Sequence, residues 1–459
     1  NIFNVVNLDK SQKKTPKTGW HEQTQSFFYS LELGWKSQLF VTTTGRNDWA
    51  SQLANSPQKS FFYPSVGVSW LPSSTFNFPE KFNYLKIRAS WASVANPFPR
   101  ELTIATHPYD DTISGWDDKS NYPIGQLYPE RTKTWELGFD ARFLHGFTLS
   151  ASWYRADTYN QTFNPNLSAS SGYSDIYIQT GHVRNTGVEA SLGYDHQWKN
   201  WNWNSQFTFS WNKNKIIELC KEWYNPITEE TITMNRLQIS KLGRAKFILK
   251  EGGSMGDLYS TTDLRRDDKG NIEIDEGGNV VVEDNLPDMK LGSVFPDYNL
   301  AWRNSVSWKN LNLGFLVTAR IGGIVNSLTQ ANMDLFGVSE ATAAARDAGG
   351  ALVNGRSLVN PETWYTAIAS QGGIPQYYTY SATNVRLQEL SLGYTIPRKW
   401  LHNVCSITVS FVGRNLWMMY CKAPFDPEAV ASTNNFYQGM DYFMMPSTRN
   451  LGFNINIKF

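Results

Sequence analysis

The chain has 459 residues, a formal net charge of +1 and a pI near 7.8, so its charge gives no reason to invoke nucleic acid. Mean hydropathy of −0.43 and the lack of any apolar run approaching about 18 residues exclude a transmembrane helix. They leave a membrane β-barrel open, because alternation of apolar and polar residues halves the apparent hydropathy. The three cysteines, Cys220, Cys405 and Cys421, are too few and too scattered for a disulfide framework or a thiolate metal site.

Taken in order, segment after segment alternates with period two, the mark of a strand with one apolar and one polar face. Phe27, Tyr29, Leu31, Leu33 and Trp35 open the series, and Leu39, Val41 and Thr43 continue it. Val66, Val68 and Trp70 follow, then Leu85, Ile87, Ala89 and Trp91. Trp135, Leu137, Phe139 and Ala141 oppose Glu136, Gly138, Asp140 and Arg142, and Phe147, Leu149, Ala151 and Trp153 form the next segment. The second half repeats the pattern around Val188–Asp195, Trp201–Trp211, Leu300–Trp308, Leu311–Ile321, Val385–Ile396, Ile407–Phe411 and Leu451–Phe459. The alternation changes phase between Leu387 and Leu390, which predicts a β-bulge at Gln388–Glu389. The count comes to about thirteen strands.

Connection lengths alternate too. Tight links such as Leu33–Lys36, Leu144–Phe147, Gln197–Trp201 and Trp308–Leu311 fall between long ones such as Asn96–Arg131, Lys213–Pro296 and Gly322–Ala382. Short periplasmic turns and long external loops give a barrel this pattern, whereas a Greek-key sandwich has no reason to keep it. Tryptophans at the tight turns (Trp35, Trp198, Trp201, Trp308) fit an interfacial girdle. The expectation is an all-β, transmembrane antiparallel barrel, with apolar faces toward lipid and polar faces toward a wet lumen. A single-chain bacterial barrel has an even number of strands and an outer-membrane protein needs a leader. An odd count entered from outside, with no leader at Asn1, leads us to expect residues 1–459 to be the C-terminal part of a longer chain.

Several strand-edge phrases resemble the SusC-like (SusC/RagA) TonB-dependent transporters of the Bacteroidetes outer membrane. They are Gly45–Trp49 (GRNDW), Phe62–Trp70 (FYPSVGVSW), Leu85–Trp91 (LKIRASW), Pro129–Phe139 (PERTKTWELGF) and Asn185–Glu189 (NTGVE). Pro296–Tyr298 (PDY), Leu387–Pro397 (LQELSLGYTIP), Gly413–Leu416 (GRNL) and Asp426–Glu428 (DPE) continue them in family order to near the end of the chain. The resemblance implies a barrel of about 22 strands with a plugged lumen, of which this chain would carry about the last thirteen. It also implies an N-terminal plug and TonB box, neither of which has a counterpart here, and energy from the TonB–ExbB–ExbD complex. A SusD-like surface lipoprotein would sit over the external loops as a lid. The implied function is active import of a bulky nutrient, an oligosaccharide first and an oligopeptide as the alternative. A passive porin and a surface adhesin stand as readings from other classes.

Chemistry-bearing constellations are few. The six histidines show no metal-ligand spacing, and His145 and His196 fall at expected turns. No G-x-S-x-G, P-loop or dinucleotide fingerprint appears, so neither an enzyme nor a cofactor is expected. The acidic stretch Asp267–Glu276 could gather carboxylates for calcium but fails the EF-hand spacing, and Asp-Lys-Gly-Asn reads as a hairpin turn. Ser339–Arg346 is expected to be a short helix with Ser339 as its N-cap. Inward charges of mixed sign, among them Arg88, Glu136, Asp140, Arg320, Arg386 and Arg414, suit a lumen packed against a plug better than a one-sign pore.

The candidate substrate contacts are loop aromatics with polar neighbours: Trp116 with Asp117, Trp223 with Tyr224, Trp364 with Tyr365, and Tyr377, Tyr378 and Tyr380. Aromatic faces stack on the apolar faces of sugar rings while nearby Asp and Asn bind hydroxyls. The competing reading is that these rings pack the loops against one another or against the lid protein.

Overall fold

With no water in the bilayer core, a wall of strands must satisfy its backbone groups through its own ladder. The computed structural model describes residues 21–459 apart from 101, 103–108, 111–114, 117–120, 123–126, 164–174, 226–228, 403 and 433–436. Thirteen strands form one sheet in which each pairs with its sequence neighbours. They are β1 (Thr24–Trp35), β2 (Leu39–Ala50), β3 (Phe61–Trp70), β4 (Phe82–Asn96), β5 (Glu130–Phe143), β6 (Phe147–Phe163) and β7 (Ile178–Trp198), then β8 (Trp201–Glu218), β9 (Tyr298–Trp308), β10 (Leu311–Ile321), β11 (Asn384–Thr395), β12 (Ser406–Cys421) and β13 (Asn450–Lys458). All twelve pairings are antiparallel. The sheet is open, with β1 and β13 each paired on one side.

The register keeps the apolar residues together. Leu137 lies opposite Ala89 and Trp153, Trp153 opposite Val188, and Val188 opposite Trp211. Leu137, Trp153, Phe207, Trp302, Leu313 and Phe411 are all exposed, as residues meant for hydrocarbon must be. Gln388 is the bulge: Leu316 pairs with Glu389 and Val317 with Leu387, so one residue is skipped where the phase changes.

The short-turn end carries the aromatic girdle. Phe143 stacks on Phe147 at 5.7 Å, Phe147 meets Tyr194 at 4.5 Å, Tyr194 meets Trp203 at 5.1 Å, and Trp201 meets Trp308 at 5.7 Å. The connection after β7 is only two residues, because Trp198 pairs with Trp201. His196 is therefore a strand residue, packed edge-on to Trp198 at 4.4 Å, and not the turn residue expected. His145 does lie in a turn, with positive φ.

Apolar cores of the usual kind lie in the long connections. Arg236–Leu242, Ala245–Lys250, Asp257–Ser260 and Met289–Ser293 form a four-stranded sheet above the wall. Phe247, Leu258 and Val294 from this loop pack with Leu328 and Met440 from two others. The loop after β10 holds α1 (Leu328–Leu335), α2 (Glu340–Asp347) and α3 (Pro361–Ala369). Ser339 caps α2 by accepting from the Thr342 N–H at 3.1 Å, as expected. Asp267 closes a hairpin turn, its Oδ1 accepting from the Lys269 and Asn271 amides at 2.9 and 2.8 Å, and Asp275 accepts from the Asn279 amide at 2.8 Å. Among the described residues no group of three or more potential ligands could hold a metal ion.

Candidate functional site: a luminal cavity beneath a folded loop roof

The polar face of the wall is built largely from small hydroxyl residues, which leaves room on the luminal side. Ser150 and Ser152 of β6, Glu189 and Ser191 of β7 and Thr208 and Ser210 of β8 share one face. With Asn299 of β9 and Thr318 of β10 they line a cavity of about 570 Å³. Arg88 and Arg320 bring positive charge to it, and Glu189 and Glu428 bring negative charge. Such a lining offers donors and acceptors along its length and a charge of each sign; no histidine or cysteine lines it.

Part of the mixed charge is consumed in the wall. Arg88 binds Asp140 at 2.7 Å and lies 3.6 Å from Glu136, and Arg414 meets Glu389 at 3.2 Å. These three pairs neutralise one another across neighbouring strands and do not need a separate domain to do so. Arg386, almost buried, reaches the loop after β12 instead: its Nη2 donates to Asp426 at 2.8 Å and lies 3.2 Å from Glu428. Arg320 donates to the Val294 carbonyl at 2.8 Å. These two arginines tie the loop roof to the wall beneath it.

The loop aromatics separate into distinct roles. Tyr378 is 2% exposed and donates its hydroxyl to Asp334 at 3.0 Å. Burial, then the Asp334 charge, pushes its phenol far above the ordinary value, so it stays a donor. Tyr377 packs edge-on against Trp364 at 5.9 Å, and both belong to the cluster around Ile368, Ile374 and Val353. Tyr380 packs edge-on against Phe425 at 5.6 Å, joining two loops. Burial raises the phenols of Tyr377, Tyr380 and Tyr365 too. Tyr224, in the strand Cys220–Asn225, is 57% exposed. Trp223 occupies the same strand and Trp116 the strand Gly115–Trp116, but their side chains, like Asp117 altogether, lie outside the described residues.

Tyr365 faces a second, smaller recess of about 300 Å³ with Asp334, Phe336, Arg346 and Glu362. Phe336 is 75% exposed at the end of α1, and the sequence reading passed over it. A large apolar side chain placed directly before Gly337, where the helix stops, was the available signal. The luminal hydroxyl stripe was missed for another reason: serine and threonine on the polar side of a strand look like filler until several strands align them.

A wall with an outward apolar band, an inward polar face and a folded external roof defines an outer-membrane β-barrel. Residues 1–416 match the family model described as TonB dependent receptor-like, beta-barrel, and the chain belongs to that family. Among curated relatives it is 27% identical to TonB-dependent receptor P3 of Formosa agariphila, over 95% of this chain and 45% of that protein. It is 21% identical to TonB-dependent receptor SusC of Bacteroides thetaiotaomicron, over 82% of this chain and 38% of that one. The chain thus spans about half the length of the curated relatives it matches. Among solved structures, the RagAB peptide importer in its open-open state matches with a TM-score of 0.73 at 18% identity, covering 99% of this chain and 49% of that one. The closed-closed state of the same importer gives 0.72 at 19%, with 99% and 50% covered. These likenesses establish the fold, and the family places the protein in the outer membrane.

Proposed function

We propose that the protein imports a bulky, polar nutrient across the outer membrane by a TonB-dependent route, with a SusD-like surface lipoprotein as its partner and an oligosaccharide as its substrate. The observation that carries this reading is the hydroxyl- and amide-lined cavity beneath the loop roof, a surface able to exchange hydrogen bonds with many hydroxyls in succession. The external recess at Tyr365 and Phe336, and the exposed Tyr224, supply ring faces on the approach. Trp116, Asp117 and Trp223 remain in the proposed contact set, while Trp364, Tyr377, Tyr378 and Tyr380 enter it through the shape they give the roof. Similarity to a protein named SusC and membership of a TonB-dependent family support the coupling and the partner.

Oligopeptide import is the second reading, favoured by the two charges of the same cavity that form no ion pair among the described residues: Arg320 suits a carboxylate and Glu189 an amine. The test is uptake of fluorescent oligosaccharides and oligopeptides by cells carrying the protein, with and without functional TonB. Ser191→Trp, which fills the cavity, should lower uptake of the true substrate at least about tenfold, a loss of about 1.4 kcal/mol of transport-competent binding. Uptake that ignores both TonB and Ser191→Trp would sink the proposal; preference for peptides would select the second reading.

A further inference from the structure

Four adjacent strands continue past the apolar band on the long-loop side, and their outward faces change character abruptly there. Above Trp135 on β5 comes Lys133; above Trp153 on β6 come Arg155 and Asp157; above Val188 on β7 come Arg184 and His182. On β8, Lys213 and Lys215 stand above Trp211, with Lys215 directly opposite Arg184. The register fixes the facing: each charged residue is an even number of positions from a lipid-facing tryptophan or valine on its own strand. Val183, an odd step away from Arg184, is instead buried in a cluster with Ile216.

Contacts bind these residues into one cluster. Arg155 and Arg184 both bind Asp157 through Nε, at 2.9 and 2.7 Å, and His182 Nε2 lies 2.7 Å from the same carboxylate. Tyr159 stacks on His182 at 4.5 Å, and the Lys133 ammonium lies over the Tyr159 ring at 5.3 Å from its centroid. Five fixed cations, Lys133, Arg155, Arg184, Lys213 and Lys215, therefore share the outward register with Asp157, and Glu218, opposite His182, is a second carboxylate at the edge of the patch. Asp157 holds the two guanidinium groups through Nε, and among the described residues no hydrogen bond engages their Nη nitrogens. The three lysines have no carboxylate within ion-pair distance among the described residues and are exposed.

We propose that this patch binds the phosphate groups of an outer-leaflet glycolipid. The position selects the ligand. The patch begins where the hydrocarbon-facing band ends, on the same face, so the first polar groups it meets are headgroups of the lipids packed against that band. Guanidinium forks match phosphate oxygens, and clustered Lys and Arg at a membrane surface attract anionic headgroups additively. A substrate in the lumen or a lid over the roof would meet the opposite face of the wall. The site is distinct from the luminal cavity and would hold the protein at a fixed height in the membrane.

The test titrates the intact protein, purified from outer membranes in mild detergent, with bisphosphorylated lipid A and with the same lipid stripped of its phosphates. Retention is read by native mass spectrometry. The bisphosphorylated form should be preferred by about tenfold or more, and the preference should vanish in K133Q/K213Q/K215Q, which disturbs no ion pair. R155Q/R184Q should lose it as well; the triple variant keeps the test valid if that double variant folds poorly. Equal retention of both lipids, or an unchanged preference in the triple variant, overturns the proposal. So does inorganic phosphate competing as well as the lipid, which would make the patch a free-anion site. Capture of an acidic protein in place of lipid would equally overturn it.

Discussion

The wall and the loop roof bury their apolar residues in opposite senses. In the wall Leu137 and Leu313 are exposed and the interior face is polar; in the roof Phe247, Leu258 and Ile374 are fully buried. The wall is held by ladder hydrogen bonds made costly to break by a medium without water, and its side chains are chosen for their solvent. The roof is an ordinary globular structure held by close packing. The same substitution should therefore have different consequences in the two regions.

The largest contrast is expected for truncation. Phe247→Ala should destabilise the roof by about 3–5 kcal/mol, whereas Leu137→Ala, which opens no cavity, should scarcely alter heat stability in detergent. Hydrogen exchange of the Ala245–Lys250 and Asp257–Ser260 amides, alongside the thermal shift of the barrel on semi-native gels, distinguishes the two. Comparable losses would erase the distinction. Charge reverses the comparison: Leu137→Arg should cost about 2–4 kcal/mol in a bilayer and fail to assemble efficiently, measured by the folded fraction recovered from the outer membrane.

A smaller effect is expected at Tyr378. Removing its hydroxyl leaves the buried Asp334 with Gln330, at 3.3 Å, as its remaining side-chain donor among the described residues, so Tyr378→Phe should cost about 1–3 kcal/mol of local stability. Hydrogen exchange across Leu328–Leu335 should report it, and the barrel transition should stay put. The smallest is a pH effect. Arg236 first, and then Lys250, hold the Asp288 carboxyl well below its usual range. A depressed folded pKa gives stability that is complete above the unfolded value of about 3.9 and is lost as pH falls through the folded value. Roof exchange rates, corrected for intrinsic chemistry, should thus be flat from neutral pH down to about 5 and rise only in stronger acid. Asp288→Asn should flatten that acid limb.

The wall was legible because period two survives any environment. Thirteen strands, the Gln388 bulge and the tight turns follow from alternation and spacing alone. The strand ends were less so: β7 runs from Ile178, well before the Val188 where apolar alternation begins. Hydrogen bonding continues past the membrane boundary while the apolar signal stops there, and the basic patch lies in that unread stretch. The roof's sheet is not legible in the sequence because runs such as Ala245–Lys250 are too short to declare their partners, and their register is set by residues far along the chain. Tyr377 and Tyr378 show the same limit: adjacent and chemically identical, they differ in burial because of a short helical turn after Pro375.

The β5 face bearing Leu137 looks into lipid and the face bearing Glu136 and Gly138 into water. With Cys220, Cys405 and Cys421 replaced by serine, single cysteines at 136, 137, 138 and 139 in the intact protein can be labelled in outer membranes with a charged thiol reagent and with a membrane-partitioning one. Charged-reagent labelling is expected at 136 and 138 and lipid-reagent labelling at 137 and 139. Equal labelling at all four positions, or the reverse phase, would contradict it.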